Sequence, residues 1–135
     1  MSHDTIQHTL EKARQADIAL VGIGDAYDRS AVVQIGCFTS GEMQLLRQAG
    51  AVGDILGFFF DIHGQPVTDG MEHRVVGLSA EDLRRIPCVV AVASEGEKVQ
   101  AILGALRTGL VQVIATSAHN AREILELDKE SERDL

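Results

Sequence analysis

An α/β fold with a mostly parallel sheet is predicted by three features of this chain. Continuous apolar runs recur along it, from Ile18 to Ile23, Asp54 to Phe60, Cys88 to Ala93 and Leu110 to Ala115. Between them lie segments of helical apolar period, most of them opened by a Ser or Thr in a capping position. The runs carry apolar residues on both faces, the pattern of strands buried between two helical layers.

The elements follow in order. Asp4 followed by Gln7 marks a helix start, with Ile6, Leu10 and Ala13 on one stripe up to about Ala16. Ile18 to Ile23, bounded by Asp17 and by Gly24-Asp25, is the first buried strand. Tyr27 to Phe38 shows no decisive period. Thr39-Ser-Gly-Glu42 is a capping box, and Met43, Leu46 and Ala49 continue a helix that Gly50 stops. Asp54 to Phe60 reads as a second strand, closed by the turn-like Asp61-Ile-His-Gly64, with Gln65 to Thr68 as a short returning partner. Val75 to Leu78 is a further strand candidate. Ser79 to Asp82 opens a brief helix through Ile86, and Pro87 ends it.

Cys88 to Ala93 is another buried strand. Ser94-Glu-Gly-Glu97 reads as a capping box heading a helix with the stripe Val99, Ile102, Leu103 and Leu106, closed by Gly109. Leu110 to Ala115 is the last strand. Ser117 caps a final helix with Ala121, Ile124 and Leu125 on one face, and Asp128 to Leu135 is expected to fray. A helix ahead of the first strand is unusual for a doubly wound sheet. It points to a chain that enters a larger domain partway.

Composition narrows the function. A length of 135 residues allows one domain with one core, set at about residues 17–127. A formal net charge of −8 argues against direct binding to DNA, RNA or an anionic membrane. The apolar runs are strand-sized, far short of a bilayer span, and the polar Met1-Ser2-His3-Asp4 start carries no signal peptide; a cytoplasmic protein is expected. Cys37 and Cys88 lack CxxC spacing and read as two reduced thiols. His3, His8, His63, His73 and His119 are scattered without helical ligand spacing, so no metal and no cofactor are expected.

In an open α/β sheet, ligands bind beyond the carboxyl ends of the strands, where helix N-termini present free N–H groups. Three strands end in polar loops: Gly24-Asp25, Ser94 to Lys98, and Thr116-Ser117; Asp54 stands at or just before the start of its strand. Lys98 falls in the first turn of a helix, where the macrodipole disfavours a cation. It is either a ligand for an incoming phosphate or carboxylate, or a solvated partner of Glu95 or Glu97. Asp54 is either a turn carboxylate or an acceptor for sugar hydroxyls. Gly22-Ile-Gly24 lacks the third glycine of a dinucleotide fingerprint, since position 27 is Tyr27, and NAD is rejected. There is no Gly-x-Ser-x-Gly elbow, and nothing in the spacing singles out Asp54 and Lys98 as an acid–base pair.

Together these segments resemble the sugar-binding domain of the SorC/DeoR family of transcription regulators. The residues that carry the resemblance are LVGIGD (Leu20 to Asp25), AGAVGDILGFFFDIHGQPV (Ala49 to Val67), HRVVGLSAEDLRRIPCVVAVA (His73 to Ala93) and EKVQAILGALRTGLVQVIATS (Glu97 to Ser117), followed by the closing helix. The resemblance implies a three-layer Rossmann-like fold, similar to sugar-phosphate isomerases, incomplete at its N-terminal side. It implies effector sensing without turnover and homo-oligomer formation. DNA would be bound only through a helix-turn-helix absent from this chain. By the family pattern, Asp54 with Leu56 beside it would contact the effector, and Lys98 would hold its phosphate or polar end. Gly24 and Asp25, in a Gly22–Asp25 turn, would edge the pocket. The rival readings are a sugar-phosphate isomerase or lactonase, and a purely structural dimerisation module. Ser94-Glu95 stands where many family members have a second glycine, adding carboxylates that would repel a phosphate or alter the preferred effector.

Overall fold

The computed structural model describes residues 3–68, 70 and 74–134. His73, at the head of one segment of the resemblance, and Leu135, at the end of the tail, lie outside them.

The chain opens with helix α1 (His3–Arg14), which buries none of its residues fully. Its end is pinned by Arg14, whose Nε donates to Asp82 Oδ1 at 3.1 Å. Strand β1 (Ile18–Gly22) then runs parallel to β5 (Cys88–Val92), which runs parallel to β6 (Val113–Ala115), giving the sheet order β1-β5-β6. The predicted α/β class with a parallel sheet is the one observed.

A second, antiparallel sheet adjoins it, in the order β2 (Gly24–Asp25), β3 (Gly53–Ile55), β4 (Phe58–Phe60). Residues 18–25 therefore serve two sheets, leaving β5 after Gly22 and pairing with β3 from Gly24. The expected turn at Gly22–Asp25 is instead this strand-to-strand passage. Asp54 to Phe60, read as one strand, is a hairpin folded at Leu56 and Gly57, with φ of 53° and 82°. Two positive φ values in succession are what a type I′ two-residue hairpin requires, and the apolar run concealed them because Leu is not a usual turn residue. Gln65 to Thr68 does return along β4: Pro66 bridges Phe60, and Val67 N–H donates to Phe59 O at 3.0 Å. Val75 to Leu78 is not a strand.

Helix α2 (Ala31–Gln34) is a single turn, and α3 (Ser40–Gln48) carries the predicted capping box on Thr39 and Glu42. A second box, on Ser79 and Asp82, opens α4 (Ala80–Arg85). The box predicted at Ser94 and Glu97 does not form. Glu95, not Ser94, stands at the cap, residues Gly96–Lys98 make one 3-10 turn, and α5 runs Val99–Arg107. α6 spans Ala118–Arg133, capped by Ser117, so residues 128–133 of the tail expected to fray are helical. Asp128 within it accepts from Arg107 Nη2 at 2.6 Å, and Arg107 Nη1 donates to Ile62 O at 2.9 Å. α6 buries Asn120 and Ile124; Ala121 and Leu125, assigned to its apolar face, are exposed.

Two apolar clusters hold these pieces. The larger joins Val21, Ile23, Ile55, Phe60, Val89, Ala91, Ile102, Leu103, Leu110 and Ile124. The smaller lies around Phe38, Met43, Leu46 and Phe59, where Phe38 and Phe59 meet edge-on at 5.3 Å. Small residues fix how α5 meets the hairpin. A β-carbon at Gly53 would lie 2.7 Å from Ala101 Cβ, and one at Gly104 would lie 2.7 Å from Asp61 O. Helix and hairpin therefore approach to backbone distance, which brings Asp54 of β3 alongside the start of α5.

The parallel sheet departs from expectation in one respect. Val21, Val89 and Ala91 are buried, but the alternate residues are not: Ile18 is 65% and Leu20 73% exposed, with Val92 and Val113 nearly half so. Because side chains alternate across a strand, one sheet face is covered and the other is bare apart from its own neighbours. The expected burial on both faces is thus corrected. Among the described residues no helix is long and apolar enough to cross a membrane.

Candidate functional site

An open cavity of about 740 Å³ lies where the two sheets part. Gly24, Asp25, Asp54, Leu56 and Lys98, singled out from the sequence, all contribute to its wall. The Thr116-Ser117 loop, named as a possible third rim, does not line it. Thr116 acts from behind, since its hydroxyl and the Glu95 carbonyl both accept from Asn120 Nδ2, at 3.3 and 3.1 Å. The buried Asn120 thereby ties the head of α6 to the loop that carries Lys98.

Asp54 is buried in the middle of β3, opposite Gly24. Its Oδ2 accepts the Gly57 N–H at 3.0 Å, which closes the hairpin turn. Its carboxyl is raised to about 6, because burial outweighs the lowering by the Gly57 amide and the Lys98 ammonium, and the Asp25 carboxylate adds to the rise. The Lys98 ammonium and the Asp54 carboxyl line one cavity. The Asp54 carboxylate thus closes a turn and also lines the cavity.

Asp25 is also buried, and both of its oxygens are engaged. Oδ1 accepts from Tyr27 N–H at 3.3 Å and Oδ2 from Arg29 Nε at 2.8 Å. Arg29 lies 3.8 Å from Glu97 as well, with its guanidinium 4.7 Å above the Tyr27 ring. Lys98 Nζ stands 3.2 Å from Glu95 Oε1. Glu95's own backbone N–H, and then Lys98, hold that carboxyl below its ordinary range. Lys98 is thus paired with Glu95 and also lines the cavity.

The lining holds four carboxylates, Asp25, Asp54, Glu95 and Glu97, against two cations, Arg29 and Lys98. Such a wall offers acceptors for several hydroxyls and donors for one anionic group. Arg29 and Ser30 escaped the sequence reading because they sit in the stretch without period. The opposite charges of Asp25 and Arg29, four residues apart, were the one available signal. Among the described residues no group of three or more His, Cys, Asp or Glu side chains is placed to hold a metal ion.

Comparison with known proteins places the chain. Residues 1–126 match the family described as "Putative sugar-binding domain", and the chain belongs to that family. It is 34% identical over 126 residues to the transcriptional regulator LsrR of Enterobacter sp. (strain 638), covering 91% of this chain and 39% of that protein. It is 33% identical over 120 residues to the deoxyribonucleoside regulator of Bacillus subtilis (strain 168), covering 89% and 38%. Among solved structures, a domain of a transcriptional repressor from Vibrio fischeri superposes with a TM-score of 0.83 at 50% identity, covering 96% of this chain and 52% of that one. The full-length sorbitol operon regulator SorC from Klebsiella pneumoniae gives a TM-score of 0.78 at 28% identity, covering 89% and 39%. The chain spans about two fifths of the length of the curated relatives it matches.

Proposed function

We propose that this domain senses a small phosphorylated sugar for a transcription regulator, and that it binds its effector without turning it over. One observation carries the reading: a buried carboxyl, an ammonium and a guanidinium share the wall of a single open cavity of about 740 Å³. That size suits a small metabolite. Carboxylates accept from sugar hydroxyls, and the two cations supply charge-assisted donors to a phosphate. In this reading Asp54 receives hydroxyls, Lys98 meets the anionic end, Leu56 gives an apolar wall, and Gly24 and Asp25 form the rim. The relatives' names as transcriptional regulators support a regulatory role. Control of DNA and assembly into oligomers would belong to the whole protein.

Calorimetric titration with aldose and ketose phosphates of three to six carbons tests this. Binding is expected for at least one, with loss of about tenfold or more in affinity in both Lys98→Ala and Asp54→Ala. No heat with any of them would overturn the reading. The isomerase alternative has one observation in its favour, since a carboxyl titrating near 6 is suited to proton transfer. A coupled isomerisation assay separates the two, and turnover abolished by Asp54→Asn would make the domain an enzyme.

A further inference from the structure

We infer that Arg29 is a second cationic effector ligand, additional to Lys98, with the Ser30 hydroxyl beside it, and that Arg29 makes the site prefer a phosphorylated sugar to the same sugar without phosphate. The inference rests on the effector-binding reading above and names which residues set its selectivity.

Arg29 is held in place by its back edge. Nε donates to Asp25, the ring of Tyr27 supports the guanidinium plane, and Tyr27 N–H ties the other Asp25 oxygen to the same loop. The terminal Nη groups make no hydrogen bond to any described residue. A guanidinium fixed through Nε with its Nη pair free is prepared for bidentate contact with two oxygens of a phosphate. Its other neighbour is the largely exposed Glu97, at 3.8 Å and without a hydrogen bond. That is a weak partner, because an exposed ion pair is screened by water and salt. Because Glu97 approaches the Nε edge, the Nη edge stays open to a phosphate dianion.

Ser30 is the second, independent observation. It stands in the N-cap position of α2 yet caps nothing, and it is 5% exposed in the cavity wall. Its Oγ is buried with no hydrogen-bond partner among the described residues. Buried hydroxyls are rarely left so without a reason, and a small local shift of the cavity wall at Ser30 would let a ligand hydroxyl or phosphate oxygen supply the partner.

The test compares matched pairs, glucose 6-phosphate with glucose and ribose 5-phosphate with ribose, with inorganic phosphate as the anion alone, by calorimetry on the full chain. Arg29→Gln should weaken the phosphorylated member about tenfold or more and leave the unphosphorylated one unchanged. Arg29→Lys, which keeps charge but loses the fork, should fall between. Glu97→Gln should tighten the phosphorylated sugar several-fold by removing a like charge from the cavity wall. Ser30→Ala should weaken binding with no loss of thermal stability, whereas a structural serine would show the reverse. If Lys98→Ala abolishes binding while Arg29→Gln and Arg29→Lys keep the full phosphate preference, the Arg29 inference falls and the effector reading survives. If the unaltered chain binds neither member of any pair, both fall together.

Discussion

Gly24 and Asp54 face each other across β2 and β3 so closely that a β-carbon at position 24 would lie 2.1 Å from Asp54 Oδ1. No atoms tolerate that separation, so either the carboxyl or the strand must move. The absence of a side chain at 24 is therefore a condition for the buried carboxyl at 54. Gly24→Ala should destabilise the fold by about 1–3 kcal/mol, the usual range for overpacking. The three atoms in its way all belong to the Asp54 carboxyl. In an Asp54→Ala background the same Gly24→Ala change should cost under about 0.5 kcal/mol. Urea unfolding of the four proteins gives the coupling directly, and additive effects would mean that the two residues do not meet.

This pair also shows what the sequence could and could not disclose. Asp54 and Lys98 were legible because each breaks a local expectation, a charge before an apolar run and a cation at a helix start. The helices bounded by Thr39, Ser79 and Ser117 were legible for a related reason, since capping is local chemistry. The hairpin was not, because Phe58, Phe59 and Phe60 continue the apolar run past a turn at Leu56. Arg29 and Ser30 were hidden too. Their place in the cavity wall comes from where the chain passes from one sheet to the other, and only the i, i+4 spacing of Asp25 and Arg29 hints at it.

Asp54 should make stability fall as pH rises. Its carboxyl sits at about 6 in the folded chain against an ordinary 3.8, so the folded state holds the proton more tightly than the unfolded one. The sign follows: the penalty is absent below about 4, grows between 4 and 6, and is complete above 6. At about 1.4 kcal/mol for each pH unit it reaches roughly 3 kcal/mol, an upper value because the cavity is open to water. Asp54→Asn keeps an acceptor for the Gly57 amide and removes the charge. It should be more stable than the parent by up to roughly 3 kcal/mol at pH 8, with the gap closing by pH 4. Glu42, Asp82 and Glu95, held below their ordinary range mainly by backbone N–H groups, push the opposite way in both proteins and cancel in the difference. A gap independent of pH would refute the assignment.

Leu56 holds φ of 53°, a left-handed conformation that costs a branched side chain roughly 1–2 kcal/mol. It also lines the cavity. Backbone strain at a cavity wall is a sign that side chain and turn are serving different ends. Leu56→Asn creates the Asn-Gly pair that this hairpin turn favours. We expect a gain of about 0.5–1 kcal/mol in unfolding free energy, together with weaker binding of whichever sugar phosphate the parent takes up. Gain of stability with unchanged affinity would remove Leu56 from the effector wall.

The bare face of the parallel sheet makes the last prediction. Leu20 and Ile102 are both large apolar residues, but Leu20 is 73% exposed on β1 while Ile102 is fully buried in α5. A side chain already in water gives up little transfer free energy when it is replaced, whereas a buried one also leaves a cavity. Leu20→Thr should therefore shift the unfolding free energy of the isolated chain by no more than about 0.5 kcal/mol, while Ile102→Ala should cost about 2–5 kcal/mol. Thr suits a strand, so propensity will not blur the comparison. Denaturant melts run at several protein concentrations add a further discriminator. If Leu20→Thr proves as costly as a core truncation, and its cost grows with concentration, the face is covered in solution by another copy of the chain, since mass action is what ties stability to concentration.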